Sequence, residues 1–194
     1  MPTDHQDLRE LLLYLTPFPK EDLQEVVSRF HPRKVPRRTP LVREGEVCQS
    51  FHFVRSGCLR AYFLAPDGSE KTRYVIPPNG VGTALSSFLT REPSTEFLEA
   101  VEDSEILSIE NRDWYDLLEQ MESWRTFHRT ILEMAYVFQN RRIEELVTLS
   151  AEERYRRFLE RHRDLALRLP GKMVASYLDI APETLSRLRA RSLS

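Results

Sequence analysis

The sequence predicts an α+β fold in three parts: an antiparallel β-roll of the jelly-roll type, one long helix, and a small helical unit. Three observations lead to this prediction. Between His31 and Glu110 the chain consists of short alternating runs separated by turn residues, which is the pattern of antiparallel strands. Ser123–Leu149 contains neither Gly nor Pro, and Leu169-Pro170-Gly171 separates the last helices from the rest.

Two short helices precede the roll. Asp7–Leu15 has a helical pattern, and a second helix begins near Pro19, because Pro and the carboxylates that follow it suit the first turn of a helix. The apolar face of the second helix consists of Leu23, Val26, Val27 and Phe30. We expect both helices to cover the roll.

The roll itself is predicted to hold about six to eight short strands, as in a sandwich or jelly roll. Five of them are marked most clearly by turn residues at their ends: Ser50–Arg55, Cys58–Leu64, Lys71–Ile76, Glu96–Val101 and Glu105–Ile109. A stretch rich in Ser and Thr separates the third of these strands from the fourth.

Helix resumes after the roll. Asn111–Glu119 predicts a short helix, and the long helix that follows carries an apolar stripe of Phe127, Ile131, Met134 and Phe138. A helix of this length would overhang a small roll, so we expect it to pair with the same helix of a second chain. Packing of the stripe within one chain is the alternative.

The last segment has the spacing of a helix-turn-helix. An arginine-rich helix, Ala151–Leu167, comes first, and Lys172–Arg191 then reads as two short helices around a turn at Asp179. Ala175 is small enough for the two helices to cross closely, and Pro182 suits the first turn of the second helix. The residues predicted to seal the pair are Val174, Leu178, Ile180, Leu185 and Leu188.

The opposite face of the second helix is polar. Glu183, Arg187 and Arg191 follow one another at intervals of four residues, and Thr184 and Ser186 flank them. Arginine can bond guanine in the major groove, glutamate can accept from cytosine, and hydroxyls suit phosphate. This face therefore predicts binding to double-stranded DNA; an ordinary exposed ion pair on a surface hairpin is the alternative.

The charge distribution agrees with a DNA partner only when the two parts of the chain are counted separately. The net charge of −2 and the isoelectric point near 6.2 argue against nucleic acid for the chain as a whole. Residues 151–194, however, hold ten basic and six acidic residues, whereas residues 1–150 hold 18 basic and 24 acidic ones. DNA would therefore meet the carboxyl-terminal unit.

Several other classes of protein are not supported. No apolar run could cross a bilayer and the first ten residues do not form a secretory signal, so we expect a cytoplasmic protein without a membrane partner. Cys48 and Cys58 cannot form a four-cysteine metal site, and we expect both to be buried. We expect no metal and no cofactor.

Enzymatic activity is not expected either. A cupin-type enzyme needs a His-x-His pair, and the five histidines are scattered; no Ser-His-Asp arrangement, nucleophilic cysteine or phosphate-binding glycine loop is visible. His52 reads as a surface histidine on a strand. Trp114 and Trp124 read as packing anchors.

The order of parts resembles the CRP/FNR family of bacterial transcription regulators. The most specific segments are Leu41–Glu46 and Phe53–Gly57 in the roll, together with Ala181–Arg187 at the helix-turn-helix. The resemblance implies a sensor roll, a dimerisation helix and a DNA-binding unit, and in this family's pattern it places Glu183 and Arg187 on base edges, with Thr184 beside them.

The resemblance fails at the cyclic-nucleotide pocket. The family's Gly-Glu and Arg-Ser/Thr pairs correspond here to Gly82-Thr83-Ala84 and to Ser94-Thr95, so that a threonine replaces the glutamate and a serine replaces the arginine. A buried phosphate without a paired cation is costly, and Glu96 would add repulsion. We therefore expect no useful binding of cyclic AMP or cyclic GMP, although Arg91 lies in the same loop and could substitute.

Three departures affect the DNA-binding unit. Asp179 stands where glycine is usual, Ala181 stands where a capping Ser or Thr is usual, and the chain ends at Ser194 without the wing that commonly follows. These departures predict a minimal DNA-binding unit.

The predicted division is residues 1–122 for the roll and its helices, 123–149 for the dimerisation helix and 150–194 for the truncated DNA-binding unit. We expect a homodimeric DNA-binding transcription regulator that does not respond to cyclic AMP. A ligand-binding or protein-interaction module with a vestigial tail is the alternative. An unknown small-molecule effector and a roll filled by its own side chains, such as Phe51, Phe53, Tyr62 and Phe88, both stay open.

Overall fold

The computed structural model describes residues 5–191, and this part of the chain folds into eight helices and eight strands. The predicted α+β class is confirmed. In chain order the elements are α1 (Gln6–Leu15), α2 (Lys20–Ser28), β1 (His31–Val35), β2 (Pro40–Val42), β3 (Ser50–Ser56), β4 (Leu59–Leu64), β5 (Glu70–Ile76), β6 (Val81–Gly82), α3 (Leu85–Thr90), β7 (Phe97–Ala100), β8 (Ser104–Glu110), α4 (Asn111–Gln120), α5 (Glu122–Thr148), α6 (Ala151–Arg168), α7 (Gly171–Leu178) and α8 (Pro182–Arg191).

The strands form the predicted roll from two four-stranded sheets. One sheet has the order β1-β8-β3-β6 and the other has the order β2-β7-β4-β5. The pairs β1–β8, β3–β8, β3–β6 and β2–β7 run antiparallel. The five strands expected from the sequence are all present. The Ser- and Thr-rich stretch holds helix α3, which the sequence pattern did not predict.

The chain divides into two compact units. The first contains the chain up to Ala61 together with Val75–Ala135, and the second contains Tyr62–Tyr74 together with the chain from Tyr136 onward. The second unit therefore combines the outer part of the β4–β5 hairpin with the end of α5 and helices α6, α7 and α8.

An aromatic cluster forms the core of the first unit near α4. The ring centroids of Trp114 and Trp124 lie 4.6 Å apart, and Phe51 lies 4.7 Å from Trp114. Phe88 of α3 packs edge-on against Trp114, and all four side chains are buried. The prediction that the two tryptophans are packing anchors is confirmed, because buried aromatic pairs of this kind contribute large apolar areas.

The apolar stripe of α5 behaves differently from the expectation. Phe127 and Ile131 are buried in the first unit, where Phe127 stacks on Trp124 at 4.8 Å, whereas Met134 and Phe138 are exposed. Pairing of the whole stripe with a second chain is therefore wrong for its first half. The reason is that both side chains are already buried within this chain, Phe127 against the aromatic cluster around α4.

The prediction that His52 is a surface residue of a strand is also wrong. It is buried on β3, which lies between β8 and β6, and its Nδ1 lies 2.8 Å from Oγ of Ser108 directly across the sheet. Both faces of this strand are covered, since Phe51, His52, Phe53 and Val54 are all buried. Burial, together with the charge of Arg33, lowers the pKa of His52 to about 3.

The two cysteines are buried in the first unit, as the sequence predicts. The backbone amide of Cys48 donates to Oγ of Ser87 at 2.9 Å. The Cys58 amide likewise donates to Oγ of Ser104, at 3.1 Å. Both residues therefore act as small buried side chains of the roll.

Candidate nucleic-acid interface and effector region

Helices α7 and α8 form the predicted helix-turn-helix. Asp179 takes the left-handed conformation at the end of α7, with φ of 51° and ψ of 52°, and the Ile180 amide donates to the Ala175 carbonyl oxygen at 3.0 Å. Aspartate adopts this conformation more readily than most residues, which explains why it replaces glycine here.

Helices α7 and α8 pack against each other through the side chains that the sequence predicts. Val174, Ala175, Leu178, Leu185 and Leu188 are all buried. Ile180, which was predicted with them, is half-buried beside the turn. The inner face of the motif is thus apolar throughout.

The polar face of α8 is open. Glu183, Ser186, Arg187 and Arg191 are exposed, and Thr184 is half-buried between them and the core side of the helix. Arg187 donates from Nη2 to Oγ1 of Thr184 at 3.1 Å, which holds the guanidinium over the start of the helix. The predicted residues therefore share one accessible surface of arginine, glutamate and hydroxyl groups, the set that reads base edges and phosphates.

Other arginines of the second unit are structural, and no pattern in the sequence distinguished them. Arg154 of α6 donates to the carbonyl oxygen of Leu178 at 2.9 Å and to that of Leu149 at 2.6 Å. Arg189 of α8 donates to the carbonyl oxygen of Ala166 at 3.1 Å. These bonds satisfy carbonyl groups at helix ends, so part of the basic charge of this segment holds the helices together.

Arg142 of α5 is the most buried of these arginines. It donates to the carbonyl oxygen of Tyr177, and its guanidinium carbon lies 4.3 Å from the centre of the Tyr177 ring. One turn further on, the buried carboxylate of Glu145 accepts from Arg161 of α6 at 2.7 Å. The end of α5 is thereby joined to α7 and α6. The only feature of the sequence that could have indicated this contact is that Arg142 falls on the buried side of α5.

The residues of the degenerate effector pocket lie on either side of α3. Gly82 ends β6, Thr83 and Ala84 are buried before the helix begins, and beyond it Ser94 is buried while Thr95 is exposed. Thr83 donates from Oγ1 to the Ser50 carbonyl oxygen at 2.7 Å, and Ser94 donates to the Glu96 carbonyl oxygen at 2.7 Å. Both hydroxyls thus donate to the backbone of the roll.

Arg91, the cation that could have replaced the missing arginine, has other partners. It ends α3 in the left-handed conformation, and it donates to the Cys48 carbonyl oxygen and to Oε1 of Gln49, both at 2.6 Å. Glu96, further along the chain, is also buried. A phosphate that entered this region would therefore have to displace Arg91 from the loop before β3.

No group of three or more His, Cys, Asp and Glu side chains within residues 5–191 is placed to bind a metal ion. Over the same part of the chain, none of the helices is long and apolar enough to span a membrane.

Comparison with known proteins agrees with this architecture. Residues 32–121 match the family model described as the cyclic nucleotide-binding domain. The cyclic AMP receptor protein of Thermus thermophilus is 27% identical over 101 residues, which are 52% of this chain and 46% of that protein. Residues 32–121 therefore carry a cyclic nucleotide-binding domain, and the chain is similar to regulators of the CRP/FNR family. The match covers about half the length of that relative.

The CRP/FNR fold extends beyond this domain. FixK2 from Bradyrhizobium japonicum superimposes with a TM-score of 0.73 at 17% identity, over 84% of this chain and 83% of that one. The c-di-GMP-responsive regulator CLP of Xanthomonas campestris superimposes with a TM-score of 0.68 at 16% identity, over 90% of this chain and 92% of that one. The resemblance predicted from the sequence is therefore confirmed.

Proposed function

We propose that this CRP/FNR-type chain is a transcription regulator that binds double-stranded DNA through α8. The observation that carries the proposal is the open face of α8, where Glu183, Ser186, Arg187 and Arg191 are exposed opposite the buried Leu185 and Leu188. A recognition helix needs this combination, because one face must hold it in the domain while the other enters the major groove. The regulator acts by binding, without enzymatic catalysis.

Selection from a pool of random duplexes with the full chain tests the proposal. We expect an enriched two-fold-symmetric site whose half-sites lie about one helical turn apart. On that site Arg187→Ala should lose discrimination at one base position per half-site, on the order of 1–3 kcal/mol, because a bidentate arginine–guanine contact is removed.

Arg156→Ala is the matched control. Arg156 is an exposed arginine of α6, 4.0 Å from Glu160, and its removal changes the net charge equally. Unchanged sequence preference in Arg187→Ala would exclude Arg187 as a base-reading residue. If the folded, dimeric wild type enriches no sequence and binds no duplex at low salt, the chain is a ligand-binding or protein-interaction module instead.

We further propose that the regulator is a homodimer that pairs through the second half of α5. Large apolar side chains are exposed there, among them Tyr136 at 71%, Ile143 at 60% and Val147 at 79%. Residues 136, 143 and 147 follow a spacing of seven and four, which places them along one seam of the helix. An exposed apolar strip of this kind is typical of an interface.

We also propose that the regulator does not respond to cyclic AMP. Three features of the roll support this: Thr83 and Ser94 replace the acidic and basic ligands, Arg91 is bonded to the loop before β3, and Glu96 is buried. Fold neighbours already differ in this respect, since CLP is described as responsive to c-di-GMP and the Thermus relative is named for cyclic AMP. We propose residues 1–122 as the sensor part, with 150–194 as the DNA-binding part.

A further inference from the structure

The β4–β5 hairpin is attached to the helix-turn-helix by one serine of α7. Ser176 donates its hydroxyl hydrogen to the Glu70 carbonyl oxygen at 2.6 Å, and its oxygen accepts from the Thr72 amide at 2.8 Å. The two bonded backbone groups flank Lys71, so Lys71 has a fixed backbone position beside α7. Thr72 is itself buried, which shows that this part of the hairpin is packed and not loose.

A cleft of about 370 Å³ lies between the tip of the hairpin and the helix-turn-helix. It is lined by the turn and the start of α8, and by four charged residues: Glu70, Lys71, Lys172 and Asp179. The Lys71 Nζ lies 3.8 Å from Oδ1 of Asp179, and the two side chains are 56% and 63% exposed. The pair is therefore solvated and can open at little cost.

This cleft lies at the part of a helix-turn-helix that comes close to the DNA backbone. The first helix of such a motif crosses the sugar–phosphate backbone while the second enters the major groove, so the turn between them lies close to phosphates. Asp179 places a carboxylate at that turn, where a polyanion would be repelled. With Lys71 the cleft holds two positive and two negative side chains, and without it one lysine would face two carboxylates.

We infer that the β4–β5 hairpin is part of the DNA-contacting surface and that Lys71 faces the phosphate backbone beside the turn. The inference rests on the proposed DNA-binding function and deepens it, since it adds a contact from outside the helix-turn-helix. In this arrangement Ser176 is a positioning residue, because it holds the backbone on both sides of Lys71. The partner of the cleft is then the DNA backbone that α8 already approaches.

Lys71→Ala tests the inference on the duplex that the wild type selects. We expect binding to weaken about five- to tenfold at moderate salt, and the slope of log K against log salt to fall by about 0.9, the amount for one phosphate contact. Because Lys71 contacts a phosphate and not a base, sequence preference should stay the same. Asp179→Asn should tighten binding, since a carboxylate is removed from the same place.

Lys34→Ala is the matched control, because Lys34 of β1 is an 88% exposed lysine paired with Glu105 at 3.5 Å. Ser176→Ala keeps the lysine but releases the hairpin, and it should give a smaller loss of affinity than Lys71→Ala. Circular dichroism and thermal unfolding verify that each variant is folded.

The outcomes separate this inference from the proposed function. If the wild type selects no duplex, the proposed function is contradicted, and the hairpin inference falls with it. If the wild type binds and Arg187→Ala alters its preference, while Lys71→Ala equals Lys34→Ala in affinity and in salt slope, the hairpin inference alone is overturned. A loss of affinity in Lys71→Ala with no change in salt slope would overturn it as well, because a lost phosphate contact must release fewer counterions.

Discussion

His52 shows how much a single buried residue contributes to the pH dependence of the roll. Its pKa of about 3 in the folded chain lies far below the value near 6.5 of an exposed histidine, because burial disfavours the imidazolium and Arg33 adds repulsion. The neutral ring instead bonds Ser108 across the sheet. The unfolded chain therefore takes up a proton at this position below pH 6.5, whereas the folded chain does not.

The free energy of unfolding should consequently decrease as the pH is lowered. Between pH 7 and pH 5 the His52 effect amounts to about 2 kcal/mol of lost stability, and it is absent above pH 7, where the ring is neutral in both states. His52→Gln should reduce the difference in unfolding free energy between these two pH values by about that amount. Urea unfolding at both pH values measures it; an unchanged difference would show that His52 is protonated in the folded roll.

Arg142 is the other residue whose role depends on burial. Arg142→Met keeps the apolar stem but removes the bond to the Tyr177 carbonyl oxygen and the stacking on its ring, so we expect about 2 kcal/mol of lost stability. Arg141→Met is the control, because Arg141 is the exposed neighbour on the same helix. Equal urea midpoints for the two variants would contradict the structural role of Arg142.

The two halves of helix α5 have different surroundings, and each half has a different role as a result. Its first half completes the aromatic cluster with Phe127 and Trp124, whereas its second half exposes Tyr136, Ile143 and Val147. Solvent exposure of these side chains costs free energy that a second copy of the helix would recover. The long helix is thus part of a core at one end and a proposed interface at the other.

Ile143→Asp tests the interface. Placing a carboxylate in an apolar seam should convert the proposed dimer to a monomer in sedimentation or light-scattering measurements at micromolar concentration. Leu167→Asp is the control, because Leu167 of α6 is 82% exposed and lies outside the seam. A monomeric wild type, or a dimer unaffected by Ile143→Asp, would contradict pairing through this face.

At the scale of the whole molecule, an effector would have to couple ligand binding in the roll to DNA affinity. A ligand can change DNA affinity only if it binds the two states of the protein differently. Thr83 and Ser94 stand where the family pattern has its acidic and basic ligands, and Arg91 is bonded to the loop before β3. If the proposal holds, cyclic AMP should bind no more tightly than about 100 μM, which corresponds to about −5.5 kcal/mol.

Calorimetric titration and DNA binding in millimolar cyclic AMP measure this together. We expect no resolved heat of binding and an unchanged affinity for the selected duplex. A dissociation constant in the low micromolar range, or a tenfold gain in DNA affinity, would show that the roll binds the nucleotide by contacts other than those of the family pattern.

The parts that the sequence predicted well share one property. Strands β3, β4, β5, β7 and β8, helices α5 to α8 and the inner and outer faces of the helix-turn-helix all show a period of two or about 3.6 in their own residues. Helix α3 was missed because six residues rich in serine and threonine are too few to show a period. His52 was misassigned because alternation cannot tell a strand with one covered face from a strand with two.

By itself, the sequence determined the order of roll, long helix and helix-turn-helix, the polar face from Glu183 to Arg191, and the concentration of positive charge after residue 150. These depend on composition and on periods within single elements. Only the tertiary structure decided which half of α5 is covered, that Arg91 is bonded to the loop before β3 and the buried Arg142 to α7, and that Lys71 lies beside Asp179. Each of these depends on contacts between residues far apart in the chain, and no local pattern encodes such contacts.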